Sequence, residues 1–127
     1  MTETLRSIMD RYRSGLLSTP NIQVSEKKLS DERISFPHEL MVESPLYFST
    51  FRNSDLVNME FTNVDFASSY FKNCQIENCI FENTSFREAR FDNCVFNSCR
   101  FINCTLRRVD GEKTIFNDMY VSKKWFW

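Results

Sequence analysis

Five cysteines, Cys74, Cys79, Cys94, Cys99 and Cys104, are the residues of this chain with the most chemistry to offer. A structural zinc site gathers close pairs of the C-x-x-C kind on one point, whereas these cysteines are spaced by five or by fifteen. A nucleophilic thiol needs exposure and a base beside it. The single histidine, His38, stands far upstream next to Pro37 and reads as a surface or cap-packing residue. Five is an odd number, and without an export signal the expectation is reduced thiols rather than a disulfide framework. Two glycines cannot build a phosphate-binding loop. Carboxylates such as Asp55, Glu60 and Asp65 are scattered among Asn and Thr with no general acid and base pair. The residues therefore point to a protein that is not an enzyme, with no catalytic, cofactor-binding or metal-binding residue.

The elements that position these cysteines explain them. A chain of 127 residues makes one domain, and its composition is skewed to 13 Phe against 2 Gly and 3 Pro. Sixteen basic and seventeen acidic residues leave a net charge of -1, so bulk charge attracts neither nucleic acid nor an anionic membrane. No run approaches a membrane span, and residues 1–15 are charged throughout rather than built like a leader. The expected compartment is the cytoplasm.

From Leu46 onward every fifth residue is large and apolar: Leu46, Phe51, Leu56, Phe61, Phe66, Phe71, Ile76, Phe81, Phe86, Phe91, Phe96, Phe101 and Leu106, then Gly111 as the exception and Phe116. Two residues earlier stands a small side chain at almost every repeat, and all five cysteines fall in that slot. The spacing of five fits neither the 3.6 of a helix nor the alternation of a strand. Two inward residues followed by three outward ones describe a very short strand and a corner, repeated, so the chain winds as a solenoid. In that setting the cysteines are small buried hydrophobes.

Segments such as Cys79-Ile80-Phe81-Glu82-Asn83 and Cys94-Val95-Phe96-Asn97-Ser98 resemble the pentapeptide-repeat proteins. The resemblance implies an all-β solenoid, a right-handed quadrilateral β-helix with four pentapeptides to a coil. The corner residues agree on the number four. Two places after each central apolar residue Asn predominates, and four of the exceptions, Phe48, Ser68, Glu88 and Arg108, are spaced by twenty. One side in four therefore lacks the Asn of the others and is expected to turn differently. Asn tolerates the positive φ such corners require. Asn53, Asn73 and Asn93, and likewise Asn63, Asn83 and Asn103, are placed to form amide ladders between coils about 4.8 Å apart. Stacking at that spacing also sets Cys74 over Cys94 and Cys79 over Cys99, within disulfide reach, which the expected compartment opposes. Thirteen pentapeptides from Ser44 to Arg108 amount to 65 residues, about three coils.

The ends follow from the open edges of a solenoid, which need covering. Residues 1–43 read as an N-terminal helix and capping segment. Leu5, Ile8, Met9 and Tyr12 form a helical stripe, Thr2 or Thr4 serves as N-cap, Gly15 as the stop, and residues 18–35 as an irregular connection. Residues 44–118 form the β-helix. Residues 119–127 form an aromatic cap in which Trp125, Phe126 and Trp127 either lie over the last coil or anchor a homodimer or partner.

Around the square, the face of Leu56, Ile76, Phe96 and Phe116 presents Asp55, Glu77 and Asp118. The Asn-free face presents Arg87, Arg107 and Arg108, and its neighbour Arg52, Lys72 and Arg90, making a mildly basic side. Ile80, Val95 and Ile102 are outward and apolar, so together with Arg87, Arg107 and Arg108 they are the candidate partner-binding residues. The expected function is a bacterial cytoplasmic protein-binding module, an inhibitor or immunity-type protein acting by surface complementarity on one unidentified protein. The resemblance implies an alternative, a DNA mimic that modulates or protects a type II topoisomerase, although three coils and three carboxylates are short measure for it. Neither reading involves direct binding of nucleic acid or membrane.

Overall fold

The computed structural model describes residues 3–14, 21–38 and 46–122. It is a parallel β-solenoid of about four coils closed at one end by a helix. Every strand is two or three residues long, and up to β12 only its middle residue is buried. Three sides of the prism are continuous parallel sheets. The first stacks β1 (Gln23–Ser25), β4 (Thr50–Arg52), β7 (Tyr70–Lys72) and β10 (Arg90–Asp92). The second stacks β2 (Lys28–Ser30), β5 (Asp55–Val57), β8 (Gln75–Glu77), β11 (Val95–Asn97) and β13 (Ile115–Asn117). The third stacks β3 (Arg33–Ser35), β6 (Glu60–Thr62), β9 (Ile80–Glu82), β12 (Arg100–Ile102) and β14 (Tyr120–Val121). On the fourth side only isolated bridges join the coils, Asp65 to Ser85 and Ser85 to Thr105.

Residues 23–35 are therefore three strands, where the sequence suggests an irregular connection. Their central residues are Val24, Leu29 and Ile34 rather than Phe, and their corners Glu26 and Asp31 rather than Asn. They also sit out of phase: Val24 pairs with Phe51 and Leu29 with Leu56, a step of 27, whereas Phe51 pairs with Phe71, a step of 20. The difference, 27 − 20 = 7 residues, falls within the connection between Ser35 and Thr50. It hides the first coil from a search on one phase and raises the count from three coils to about four.

Helix α1 (Leu5–Ser14) covers this coil with the stripe expected of it: Leu5, Ile8 and Met9 are buried and Tyr12 packs on the core. Thr4 is the N-cap, its Oγ1 accepting from the Ser7 N–H at 3.0 Å while Ser7 Oγ accepts from the Thr4 N–H at 3.2 Å. The Glu32 carboxylate, at the start of the third side, accepts from the N–H groups of Leu5 and Arg6 at 2.8 and 3.0 Å. A negative charge at a helix start is favourable, so one side chain fixes the cap to the coil. Gly15 and Thr2 lie outside the described residues.

Inside, phenylalanines stack one coil apart in nearly parallel pairs, Phe51 on Phe71 at 4.8 Å, Phe61 on Phe81 at 5.2 Å and Phe66 on Phe86 at 5.2 Å between centroids. Adjacent sides meet edge to face, as Phe81 meets Phe86 at 5.1 Å. Every fifth residue from Phe48 to Asp118 has positive φ, between 50° and 65°. The fourth side shares this sign, including Phe48, Ser68, Glu88 and Arg108, so its corners do not escape the left-handed region. What sets them apart is an added turn hydrogen bond, from Ser49 N to Leu46 O, Ser69 N to Phe66 O and Ala89 N to Phe86 O. That bond with positive φ at the third residue marks a type II turn.

One of the two expected Asn ladders forms. Asn73 Nδ2 donates to Asn53 Oδ1 at 3.0 Å and Asn93 Nδ2 to Asn73 Oδ1 at 2.8 Å. On the third side Asn63 donates its Nδ2 to the Phe36 carbonyl at 2.8 Å, and its buried Oδ1, where a ladder bond from Asn83 would fall, has no partner among the described residues. Donation to the first coil does not by itself break a ladder: on the second side Asn58 gives its Nδ2 to Asp31 at 3.1 Å and still accepts from Asn78 at 2.7 Å.

The buried Ser69 hydroxyl also has no partner. One coil further on the same slot holds Ala89, so the backbone accepts a methyl there. Ser69→Ala is expected to raise stability by about 1 kcal/mol by removing an unsatisfied group, read as a higher urea midpoint with unchanged slope.

Candidate functional site

The cysteines line the interior. Each Sγ lies near a carbonyl of the preceding coil: Cys74 3.4 Å from Phe51 O, Cys79 3.3 Å from Leu56 O, Cys94 3.4 Å from Phe71 O, Cys99 3.4 Å from Ile76 O and Cys104 3.1 Å from Phe81 O. All five are free and buried. Burial pushes the Cys104 thiol up to about 12. The neighbouring thiols of Cys99 and Cys74, together with burial, push Cys79 and Cys94 up as well. Such thiols are poor nucleophiles. A thiol reagent at pH 8 is expected to modify none of them in the folded protein and all five in denaturant; rapid labelling without denaturant would overturn the inward assignment. Among the described residues no group of three or more His, Cys, Asp or Glu is placed to hold a metal ion, and no helix is long and apolar enough to cross a membrane. His38 is exposed.

Outside, the structure separates the three apolar candidates. Ile80 and Ile102 share the third side, but in different columns: Ile80 sits between Glu60 and Arg100, and Ile102 next to Glu82. Val95 lies on the second side between Gln75 and Ile115. All three are half-buried by these neighbours. The second side also gains a cation, because Lys28 pairs in register with Asp55.

Charges on the first side compensate one another. Arg90 bonds Asp92 and Asp110, both at 2.9 Å, and Tyr70 donates its hydroxyl to Asp92 at 2.9 Å. Arg52 lies over the Tyr70 ring, 5.3 Å from its centroid. This side does not extend the basic character expected from Arg52, Lys72 and Arg90.

The fourth side is different. Its outward columns run along the axis one residue per coil: Tyr47, Ala67, Arg87 and Arg107 in one, Phe48, Ser68, Glu88 and Arg108 in the next. Arg87, Arg107 and Arg108 thus come together and are exposed, with Arg108 reaching Glu88 at 3.5 Å. At the other end Tyr47 and Phe48 are exposed at 39% and 51% and pack edge to face at 5.4 Å. Phe48 holds this outward position at a φ of 65°, a conformation uncommon for bulky residues. Between them lies a cavity of about 310 Å³ lined by Tyr47, Asp65, Ala67, Ser68, Ser85, Arg87 and Glu88. Asp65 is set into its wall. Burial pushes its carboxyl above the usual carboxylate range, against the opposing bond from the Ala67 N–H at 2.9 Å. Among the described residues no ion pair engages Asp65 or Arg87.

Sequence reasoning found the arginines here but passed over Tyr47, Phe48 and Asp65. Phe48 carried a signal, a large apolar residue in a corner slot that Asn or a polar residue fills elsewhere.

A second cavity, about 340 Å³, opens at the C-terminal end among Phe91, Phe101, Leu106, Val109 and Phe116. Phe116 in its wall is exposed, as are Ile115, Tyr120 and Val121 of the same last turn. Trp125, Phe126 and Trp127, expected to cover this end or to anchor a dimer, lie outside the described residues.

A family model described as pentapeptide repeats, in nine copies, matches residues 61–119. Among solved structures, two trypsin-treated variants of QnrB1, a plasmid-mediated fluoroquinolone resistance protein, align at 15% identity with TM-scores of 0.40 and 0.31. They cover 72% and 76% of this chain and 54% and 53% of their own, so the chain spans about half their length. The pentapeptide repeat protein Rfr23 from the cyanobacterium Cyanothece 51142 aligns at 15% identity over 94% of this chain and 99% of its own, with a TM-score of 0.29. No curated protein matches the sequence.

Proposed function

Residues 61–119 match the pentapeptide-repeat family model, and from that premise we propose a non-enzymatic module that binds one protein partner through its fourth side. The observation that carries this reading is a cavity with exposed Tyr47 and exposed Arg87 in its walls, flanked by exposed Phe48 against Tyr47 and by exposed Arg107 and Arg108 in the next coil. Tyr and Arg are enriched at binding hot spots, and Tyr47 and Phe48 leave 39% and 51% of their surfaces to solvent. A rigid prism loses little conformational freedom on association, which suits an inhibitor or immunity-type protein.

The reading is tested by recovering partners on a tagged copy at native expression beside an Arg107→Glu/Arg108→Glu copy. Both residues are exposed, so the variant is expected to keep its fold, which its melting temperature checks. One stoichiometric protein retained by the first and lost by the second is expected; identical recoveries overturn the choice of side. The topoisomerase reading asks for an extended acidic surface, and here Lys28 sits beside Asp55 on the side that carries Glu77 and Asp118. A gyrase supercoiling assay is accordingly expected to show no change at equimolar protein. Light scattering on the full chain and on a chain ending at Lys124 tests a dimer through Trp125–Trp127, which predicts a mass that halves on truncation.

A further inference from the structure

Resting on the reading that the fourth side binds a protein, we propose that the cavity beside Asp65 receives one aromatic side chain bearing an N–H or O–H donor, a tryptophan or tyrosine of the partner. Tyr47 and Arg87 stand two coils apart in one column, with Ala67 between them. The protein's own rings stack one coil apart at 4.8 to 5.2 Å. Two coils therefore leave room for one planar group above the Ala67 methyl, stacked on Tyr47 from one side and on the Arg87 guanidinium from the other. Phe48 braces the Tyr47 ring edge to face. Arg87, with no ion pair among the described residues, lies where a cation over a ring face is favourable.

Asp65 selects among planar groups. One of its oxygens accepts from the Ala67 N–H and the other takes no bond from the described residues, in a setting whose burial already disfavours an uncompensated charge. An indole N–H or a phenol O–H supplies the missing donor, and such groups seek a partner when buried. A phenylalanine or leucine leaves the carboxylate unpaired, which is costly. A lysine meets Arg87, and a carboxylate meets Asp65 and Glu88. A nucleobase would stack equally well, but its phosphates would find a side whose arginines are partly offset by Glu88 at 3.5 Å from Arg108 in a chain of net charge -1.

The test is an NMR titration of the full chain with N-acetyl-tryptophanamide, N-acetyl-tyrosinamide, N-acetyl-phenylalaninamide and GMP, following the backbone amides of Ala67, Ser68 and Arg87. Saturable shifts confined to these amides are expected for the tryptophan and tyrosine amides. The phenylalanine amide should bind about tenfold more weakly, the size of one lost hydrogen bond, and GMP should leave the amides unmoved. Ala67→Phe puts the chain's own ring in the gap and should abolish the shifts while the melting temperature holds. Absence of shifts with the tryptophan and tyrosine amides, shifts that persist in Ala67→Phe, equal binding of all three amides, or tighter binding of GMP would overturn the proposal. If the amides fail to bind while Arg107→Glu/Arg108→Glu still loses the partner, the cavity assignment falls and the binding side stands.

Discussion

Phe81→Ala is expected to lower folding stability by about 3 to 5 kcal/mol, a large part of the roughly 5 to 15 kcal/mol that holds a domain of this size together. Phe81 is 1% exposed and stacks on Phe61 at 5.2 Å below and Phe101 at 5.0 Å above, with Phe86 edge-on at 5.1 Å. The backbone around the hole is pinned by parallel pairing on both sides of β9, so it has little freedom to collapse into the cavity. In a solenoid each coil is held only by its neighbours, and a defect in the third coil weakens the link between the second and the fourth. Urea denaturation with an exposed control, Glu82→Ala, measures the effect. A Phe81→Ala midpoint matching that control would overturn the inward assignment on which the whole register rests.

Gly111→Ala is expected to destabilise by about 2 to 3 kcal/mol, although position 111 belongs to the phase that elsewhere holds Phe. Read from the repeat alone, an apolar residue there should improve the fold. The structure reverses the sign. Gly111 has a φ of 149°, and a Cβ on it would stand 1.9 Å from the Phe91 carbonyl oxygen and 2.8 Å from its carbon. The chain crosses this corner close against the backbone of the coil beneath, pairing Asp110 with Arg90, and only a residue without a side chain passes. The damage should concentrate in the last turn: hydrogen exchange at Ile115 and Tyr120, whose N–H groups bond Cys94 O and Cys99 O, is expected to accelerate more than exchange at Phe66 or Ile80. A Gly111→Ala protein as stable as the parent would mean that the close approach at Phe91 is not kept.

Both predictions lean on a register legible from residue types. A side chain repeated every fifth position has one way to be buried twelve times over, and the Phe stacks, the interior cysteines and the left-handed corners follow from it. The first coil was not legible because Val24, Leu29 and Ile34 are ordinary aliphatics whose phase is displaced by the step of 27.

The candidate site was half legible. Arg87, Arg107 and Arg108 could be assembled from spacing, because residues twenty apart stack once the coil length is known. Tyr47, Phe48 and Asp65 could not be weighed in the same way. That Tyr47 lies exposed, that Phe48 braces it, and that Asp65 is set into a wall without a cation are facts of side-chain direction around one small alanine. Ile80, Val95 and Ile102 show the converse: outward apolar residues close in the repeat stand in separate columns, each shielded by its own ladder neighbours.

By itself the sequence determined the winding of the chain, the identity of its core and the absence of any reason to call its thiols reactive, because burial in a repeat depends on spacing and spacing is written in the residues. The tertiary structure decided the number of coils, the sign of the effect at Gly111 and the existence of a cavity on the fourth side. These depend on how far one coil is displaced along the chain from the next and on how closely two backbones approach, distances that arise only when the coils are stacked.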